Sequence, residues 1–418
     1  MKLKLLRNIV FVLAFLGINE KAWSQQGSQL FEDAFLHEIR IYSDEIEEYE
    51  ALLDSLHLLY QQNRQTQIDS LNAGKNLNLV KRKYLLANVL IDGKKVDSIG
   101  IRFKGNGTYH VEEAKNSFKI DFNKFVSGQK YDDLKKINLH NNYFDASMLH
   151  QKIVSEVLLL EGLAQARTTF SKVYLNEKYL GVYTIVEQID KTFLQYRFGN
   201  KNGHLYKVPN VTYAPFPFIG KHSLNADSSQ LDKRFLLKSH ENTNNYEPIK
   251  HLLEIVNETP DIVFKDSLEK HLNVSAFIKN NVLDVLVEGI DNYYRVAANY
   301  YLYENTSTQQ WEYLSYDYDL TFNSIENFGN DLVQNTNFED KIPLKRILEN
   351  QALKIQYLET LCHLLQNSWD TTILFDKINQ YYELIKEAVY EDNLKPYSNE
   401  KFEEQYIGMD NKSIETYQ

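Results

Sequence analysis

The sequence predicts an α+β fold, with a small mixed lobe of strands and one helix followed by a larger, mainly helical lobe. Three observations carry this expectation. Strand-type patterning is concentrated before residue 190, in 84–123 and 170–186. Helical patterning dominates 249–289 and 343–392. Gly (16) and Pro (7) are too few for long flexible linkers, so the two parts are expected to adjoin, with a cleft between them suited to a ligand. Among the 418 residues 43 % are hydrophobic and 25 % charged, which excludes a disordered, collagenous or membrane-spanning chain. The formal net charge of −11 gives no basic excess and points away from nucleic acid as a partner. A single Cys362, on an apolar helix face and expected in the core, excludes an internal disulfide and a multi-cysteine metal cluster.

Residues 1–24 read as a secretory signal peptide. Lys2, Lys4 and Arg7 precede the apolar run Ile9–Ile18, and Ala22 and Ser24 offer small residues for cleavage, so the mature chain is expected from Gln25. The run is too short to span a bilayer comfortably, no other segment reaches that length, and no Cys follows for lipid attachment. Losing these residues removes four positive charges and one negative, taking the net charge to −14. A secreted, periplasmic or cell-envelope location is the expectation.

Residues 25–80 are expected as an N-terminal helical extension, because Asp44–Leu59 places apolar residues at helical spacing. The strand-rich part, 81–190, opens with two alternating runs, Tyr84–Ile91 and Val96–Phe103, around Asp92-Gly93, a hairpin signal. Gly105-Asn-Gly-Thr108 is a turn-rich loop. In Ser117–Asn123, Phe118, Ile120 and Phe122 face one way and the polar residues the other. Asp145 is expected to cap a helix through Leu160 that Gly162 ends. Strands Phe170–Leu175 and Tyr179–Val186 meet at Asn176-Glu177, and a short helix covers Asp190–Phe198. The second part, 191–392, holds a loop-rich stretch (200–245), helices over 249–289, strand-like runs Tyr300–Tyr303 and Trp311–Phe322, and a helical pair, Leu344–Asn367 and Thr372–Val389. The tail, 393–418, is polar and expected to be loosely ordered.

Three groups of residues could carry chemistry. On an extended strand Ser315, Asp317, Asp319 and Thr321 would share one face, with the two carboxylates about 7 Å apart. Such a pair suits a hard cation such as Mg2+, and a half-buried strand with a wet face gives the same spacing. Asp291 lies in a turn signal before a strand that Asn299 opens; this is a base-and-ligand arrangement in phosphoryl transfer and equally an ordinary turn. Arg102, Lys104, Lys115 and Lys119 cluster around the Gly105–Thr108 loop, where backbone N–H groups and lysines can hold phosphate; solvated lysines on a hairpin look the same. His140 reads as a structural hydrogen-bonder. A glycosidase-type carboxylate pair, for instance Glu187 with Asp317, stays open at this level.

Taken in order, several stretches resemble the CotH kinase family, the spore-coat protein H type of atypical protein kinase. They are Ile101–Thr108, Lys115–Phe122, Leu139–Leu149, Val173–Asp190, Gly289–Asn292, Asn299–Tyr303 and Asp317–Phe322, together spanning roughly residues 85–390. The resemblance implies a divergent bilobal protein-kinase-like fold that binds ATP and Mg2+ (or Mn2+) between its lobes. Lys119 looks like the strand lysine that pairs the nucleotide phosphates, with Lys115 as the alternative. Arg102, Lys104, Gly105 and Asn106 would line the phosphates, and Glu187 falls near the lobe junction. Asp291 looks like the catalytic Asp, Asn299 and Asp317 like metal ligands, and Asp319 would share the metal or support its loop. The chain departs from the family pattern at Ser315-Tyr316 (usually Pro-Trp), Asn323 (usually Gly), Gly107-Thr108 (usually serines) and Asn176-Glu177 (usually Asn-Gly). None of these removes a charged group of the implied site. The implied activity is phosphate transfer to a protein substrate. The alternatives are a catalytically weak pseudokinase-like envelope protein for binding or assembly, and AMP transfer in the same cleft.

Overall fold

Alternation of inward and outward residues builds the first half of the molecule. In Leu85–Ile91 (β2), Leu85, Ala87, Val89 and Ile91 are buried. The same rule holds in His37–Tyr42 (β1), where His37, Ile39 and Ile41 point in and Glu38, Arg40 and Tyr42 point out. With Lys94–Phe103 (β3), Phe118–Asp121 (β4), Lys136–His140 (β5), Thr168–Leu175 (β6) and Lys178–Glu187 (β7), these strands form a closed barrel in the order β1-β2-β3-β4-β5-β7-β6. β1 closes it, antiparallel to β2 and parallel to β6, with Ile39 opposite Ile91 on one side and Val173 on the other. Closure removes both sheet edges. The interior is filled by Ile39, Ile41, Val89, Ile101, Phe118, Ile120, Ile137, Leu139, Tyr183 and neighbours. The computed structural model describes residues 26–51, 53–54, 83–105, 109, 115–209, 231, 234–322, 342–369 and 371–411.

The two expected hairpins form with two-residue turns. Asp92 and Gly93 have φ of 50° and 78°, Asn176 and Glu177 of 47° and 66°, the left-handed pair that matches the twist of the strands. His150–Leu160 (α1) starts later than expected, with Leu149 at the cap position. Asp145 still serves it from a distance, accepting the N–H groups of Met148 and His150 at 2.9 and 2.8 Å. Lys191–Phe198 (α2) is capped by Asp190 and ends at left-handed Gly199.

A second sheet, in the order β11-β10-β8-β9, comprises Leu205–Val208 (β8), Leu236–Leu237 (β9), Tyr300–Asn305 (β10) and Gln310–Ser315 (β11). On its side of the molecule lie Glu247–Glu258 (α3), Asp261–His271 (α4), Val274–Leu286 (α5), Tyr293–Val296 (α6), Ile342–Glu349 (α7) and Gln351–Gln366 (α8), while Thr371–Glu391 (α9) packs on β7 of the barrel and on α1. Asn399–Asn411 (α10) closes the described chain. The larger core joins these helices to the second sheet through Val282, Leu286, Tyr293, Tyr300, Tyr313, Tyr318 and Tyr357.

Several expectations are corrected. The bilobal kinase-like fold with a small mixed lobe is not what forms: the strands close into a seven-stranded barrel, and a separate four-stranded sheet accompanies the helices. Residues 37–42, expected within a helical extension, are the barrel's closing strand. The run Trp311–Phe322 is a strand only to Ser315, because Asp317 turns left-handed (φ 71°) and breaks the ladder. The tail is not loose throughout. α10 packs Phe402 against Tyr382, and Tyr397 donates a hydrogen bond to the carbonyl of Asn142. Cys362 is exposed on α8, not core. The leader at 1–24, Asn106-Gly107-Thr108 and Asn323 lie outside the described residues. Among the described residues no helix is long and apolar enough to cross a membrane.

Candidate active site at the barrel rim

The carboxylate side of the site is made by two loops that zip together. The segment after α5 and the segment after β11 exchange backbone hydrogen bonds: Ile290 N–H to Leu320 O at 3.1 Å and Phe322 N–H to Val287 O at 2.8 Å. Asn292 adds side-chain contacts at 3.4 Å to the carbonyls of Tyr316 and Asp317. This pairing brings Asp291, Asn299, Asp317 and Asp319 to one place from positions up to 28 residues apart in the chain. Asn299, itself left-handed (φ 57°), donates from Nδ2 to the Asp291 carboxylate at 2.8 Å and to its carbonyl at 3.1 Å. Burial holds the Asp319 carboxyl well above the ordinary carboxylate range, and the negative charges of Asp317, Asp291 and Asp145 push it further.

The cation side comes from the barrel. Arg102 and Lys104 lie at the end of β3, Lys119 on β4 and His140 at the end of β5. The second sheet adds Lys207, on β8 directly opposite Tyr301 of β10. Among the described residues these four cations find neutral hydrogen-bond or ring partners. Arg102 donates to the Phe103 carbonyl at 3.1 Å, Lys104 to His140 Nε2, and Lys119 to Gln188 Oε1. Lys207 stands over the Tyr316 ring at 4.2 Å. Burial lowers Lys104 to about 8 against the opposing pull of Asp317, and lowers Lys207 to about 7, with Lys104 adding to the shift. Lys119 is lowered well below its ordinary value by burial, then by Arg102, Lys136, Lys104 and Lys207. Since Lys104 can only donate, His140 Nε2 accepts. The ring is therefore neutral, with Nδ1–H 3.9 Å from the Asp317 carboxylate. Burial and the two lysines hold its pKa well below the usual value.

Of the residues expected in the site, Arg102, Lys104, Lys119, Asp291, Asn299, Asp317 and Asp319 are gathered here. Gly105 follows directly on Lys104 with φ 97°, a conformation glycine takes freely. Lys115 sits elsewhere, buried and paired with Asp392 at 2.5 Å. Glu187 is also committed: its carboxylate takes Arg167 Nε and NH2 at 3.0 and 2.7 Å and Arg197 NH2 at 3.2 Å. The neighbouring Gln188 meets Lys119 instead. Sequence reading missed Lys207, Gln188 and the place of His140. Lys207 had one usable signal, the alternation of Leu205-Tyr206-Lys207-Val208 within a stretch that reads as loop.

Among the described residues no three His, Cys, Asp or Glu side chains close around one point. Mg2+ does not need such a cage, since it keeps waters and takes one or two carboxylates plus phosphate oxygens. Asp317 and Asp319, with Asn299 beside Asp291, fit that requirement, and four cations beside them fit a polyanion.

The family model for CotH kinase protein matches residues 101–413. The chain belongs to the CotH kinase protein family. All the site residues named above fall within the matched range. Inner spore coat protein H of Bacillus subtilis (strain 168) is 24 % identical over 321 residues, covering 75 % of this chain and 83 % of that protein.

Proposed function

We propose that this CotH-family protein is an ATP- and Mg2+-dependent phosphotransferase acting on a protein substrate outside the cytoplasm or in the cell envelope. The observation that carries the proposal is the juxtaposition of Arg102, Lys104, Lys119 and Lys207, held by neutral partners, with the Asp291–Asn299 pair and the Asp317/Asp319 carboxylates. A triphosphate with its cation neutralises both halves at once. Lys119 and Lys104 bind phosphate oxygens, Lys207 closes from the second sheet, and Asp317 and Asp319 hold the cation. Asp291, oriented by Asn299, accepts the proton of the acceptor hydroxyl as its oxygen attacks the γ-phosphorus of ATP and the bond to the β,γ-bridging oxygen breaks, releasing ADP. Positioning and charge neutralisation supply most of the rate, as is general for phosphoryl transfer. The envelope placement rests on the leader-like residues 1–24 and on the similarity to a spore coat protein.

The test is transfer of label from ATP to protein in Mg2+. With γ-labelled ATP, label incorporation that disappears in Asp291→Ala is expected. Label from α-labelled ATP alone would replace phosphate transfer by AMP transfer. No label from either, with ATP still bound, would favour the binding or assembly role.

A further inference from the structure

Besides its pairing with the segment after α5, the carboxylate loop is gripped from a second side, by α1. Beyond Ser315 the chain leaves β11, so the amide of Tyr318 and the carbonyl of Asp319 have no strand to pair with. Gln151 accepts the Tyr318 N–H through Oε1 at 2.9 Å. His150 Nδ1 lies 3.1 Å from the Asp319 carbonyl, and since a carbonyl only accepts, Nδ1 carries the proton. Both residues are buried and sit in the first turn of α1, with Gln151 lying 167 and His150 lying 169 residues away in sequence from the groups they hold. Gln151 is fixed in turn by donating to Ser155 at 2.9 Å. The His150 ring packs edge-on against Phe322 at 5.1 Å. α1 is anchored to the barrel and to α5. Lys152 bonds Asp33 and the Thr168 carbonyl at 2.6 and 2.8 Å, and Lys279 bonds the Glu161 carbonyl at 3.0 Å.

We propose that His150 and Gln151 are positioning residues that fix the Tyr318–Asp319 backbone so that Asp317 and Asp319 can share one divalent cation. This rests on the cation-binding reading above. Two buried polar side chains on one helix turn, both committed to two consecutive backbone groups between and beside the proposed ligands, set the loop's height and rotation against the barrel. Displacement of α1 would then withdraw the cation site without touching a ligand.

The experiment compares wild type with His150→Leu, Gln151→Met, His150→Asn and Asp317→Asn. Mn2+ binding is titrated by electron paramagnetic resonance with and without ATP, and folding is checked by thermal melting. His150→Leu leaves the backbone N–H that Asp145 caps, so α1 keeps its start. Asn at 150 can place an amide N–H where Nδ1 donates. The expected result is that His150→Leu and Gln151→Met remain folded but bind Mn2+ about 10-fold more weakly, the effect of losing an outer partner of a metal ligand. His150→Asn should recover most of that loss. Folded His150→Leu and Gln151→Met proteins that bind Mn2+ like wild type would overturn the positioning role. A wild type that binds Mn2+ with no dependence on Asp317 would instead overturn the cation site itself.

Discussion

Asp317 occupies a left-handed backbone position (φ 71°), where Asp and Asn are tolerated and most residues are strained by about 1 kcal/mol or more. The side chain and the backbone therefore separate in two variants. Asp317→Asn should melt near the wild-type temperature yet lose cation-dependent ATP binding. Asp317→Ala should lose the same binding and also about 1 kcal/mol of stability, measured by denaturant titration. Asp291→Ala should keep ATP binding and lose transfer, a split that calorimetry and label incorporation together would reveal. Asp284, on α5 beneath the loop, gives a pH signature. Fully buried, it accepts a hydrogen bond from Tyr318 Oη at 2.9 Å, and burial pushes its pKa up to about 7 from the ordinary 3.8. The folded protein keeps this proton where the unfolded chain has lost it. Stability is thus expected to fall as pH rises from about 4 to about 7 and to level off above. Asp284→Asn, which still offers Tyr318 an acceptor, should flatten that slope; identical melting profiles from pH 4 to 8 would contradict this.

At the scale of elements, β1 decides whether the barrel exists. Its Ile39 and Ile41 are fully buried, and among the described strands it alone bridges β2 and β6. Removing residues 26–43 should abolish cooperative unfolding, whereas loss of a peripheral extension would leave a stable remainder. Ile39→Ala should cost about 2–5 kcal/mol. The end of α9 is tied to the barrel just as tightly. Asp392, fully buried, pairs with Lys115 at 2.5 Å and accepts the Val182 N–H at 3.2 Å. It lies where a Cβ on Gly181 (φ 110°) would come within 2.4 Å of its carboxyl oxygens. Asp392→Ala strands a buried ammonium group and should cost about 3–5 kcal/mol, seen as a drop in melting temperature. Lys115 thus anchors the segment that leads from the Gly105 loop into β4.

Across the whole molecule, what was legible in the sequence was local or lay in ordered motifs. The hairpin at Asp92-Gly93 and the cap at Asp190 need only neighbouring residues. Asp291, Asn299 and Asp317 stand in motifs whose order is legible in the sequence, and the loops that carry them meet. The barrel was not legible because its closure depends on β1 pairing in parallel with β6, about 130 residues later, and no local pattern encodes that. The alternation Glu38-Ile-Arg-Ile-Tyr42 is short and runs directly into an acidic helical pattern that masks it. Glu187 and Lys115 carried charges that suited a phosphate site, yet buried partners, Arg167 and Asp392, claim them. Lys207 was hidden in a proline-containing stretch that only the second sheet orders. The result is an acidic chain, net −11, that gathers cations at one rim. ATP binding there should weaken moderately with added salt, as partly buried charge pairing does.

The most direct measurement is calorimetric titration of ATP into the purified protein, in Mg2+ and in chelator, with Asp317→Asn and Lys119→Met alongside. Binding in Mg2+ that is weakened by chelator and lost in both variants is the expected result. A folded wild-type protein that takes up no ATP, or one whose binding is indifferent to Asp317 and Lys119, would contradict the assignment of the barrel rim as a nucleotide site.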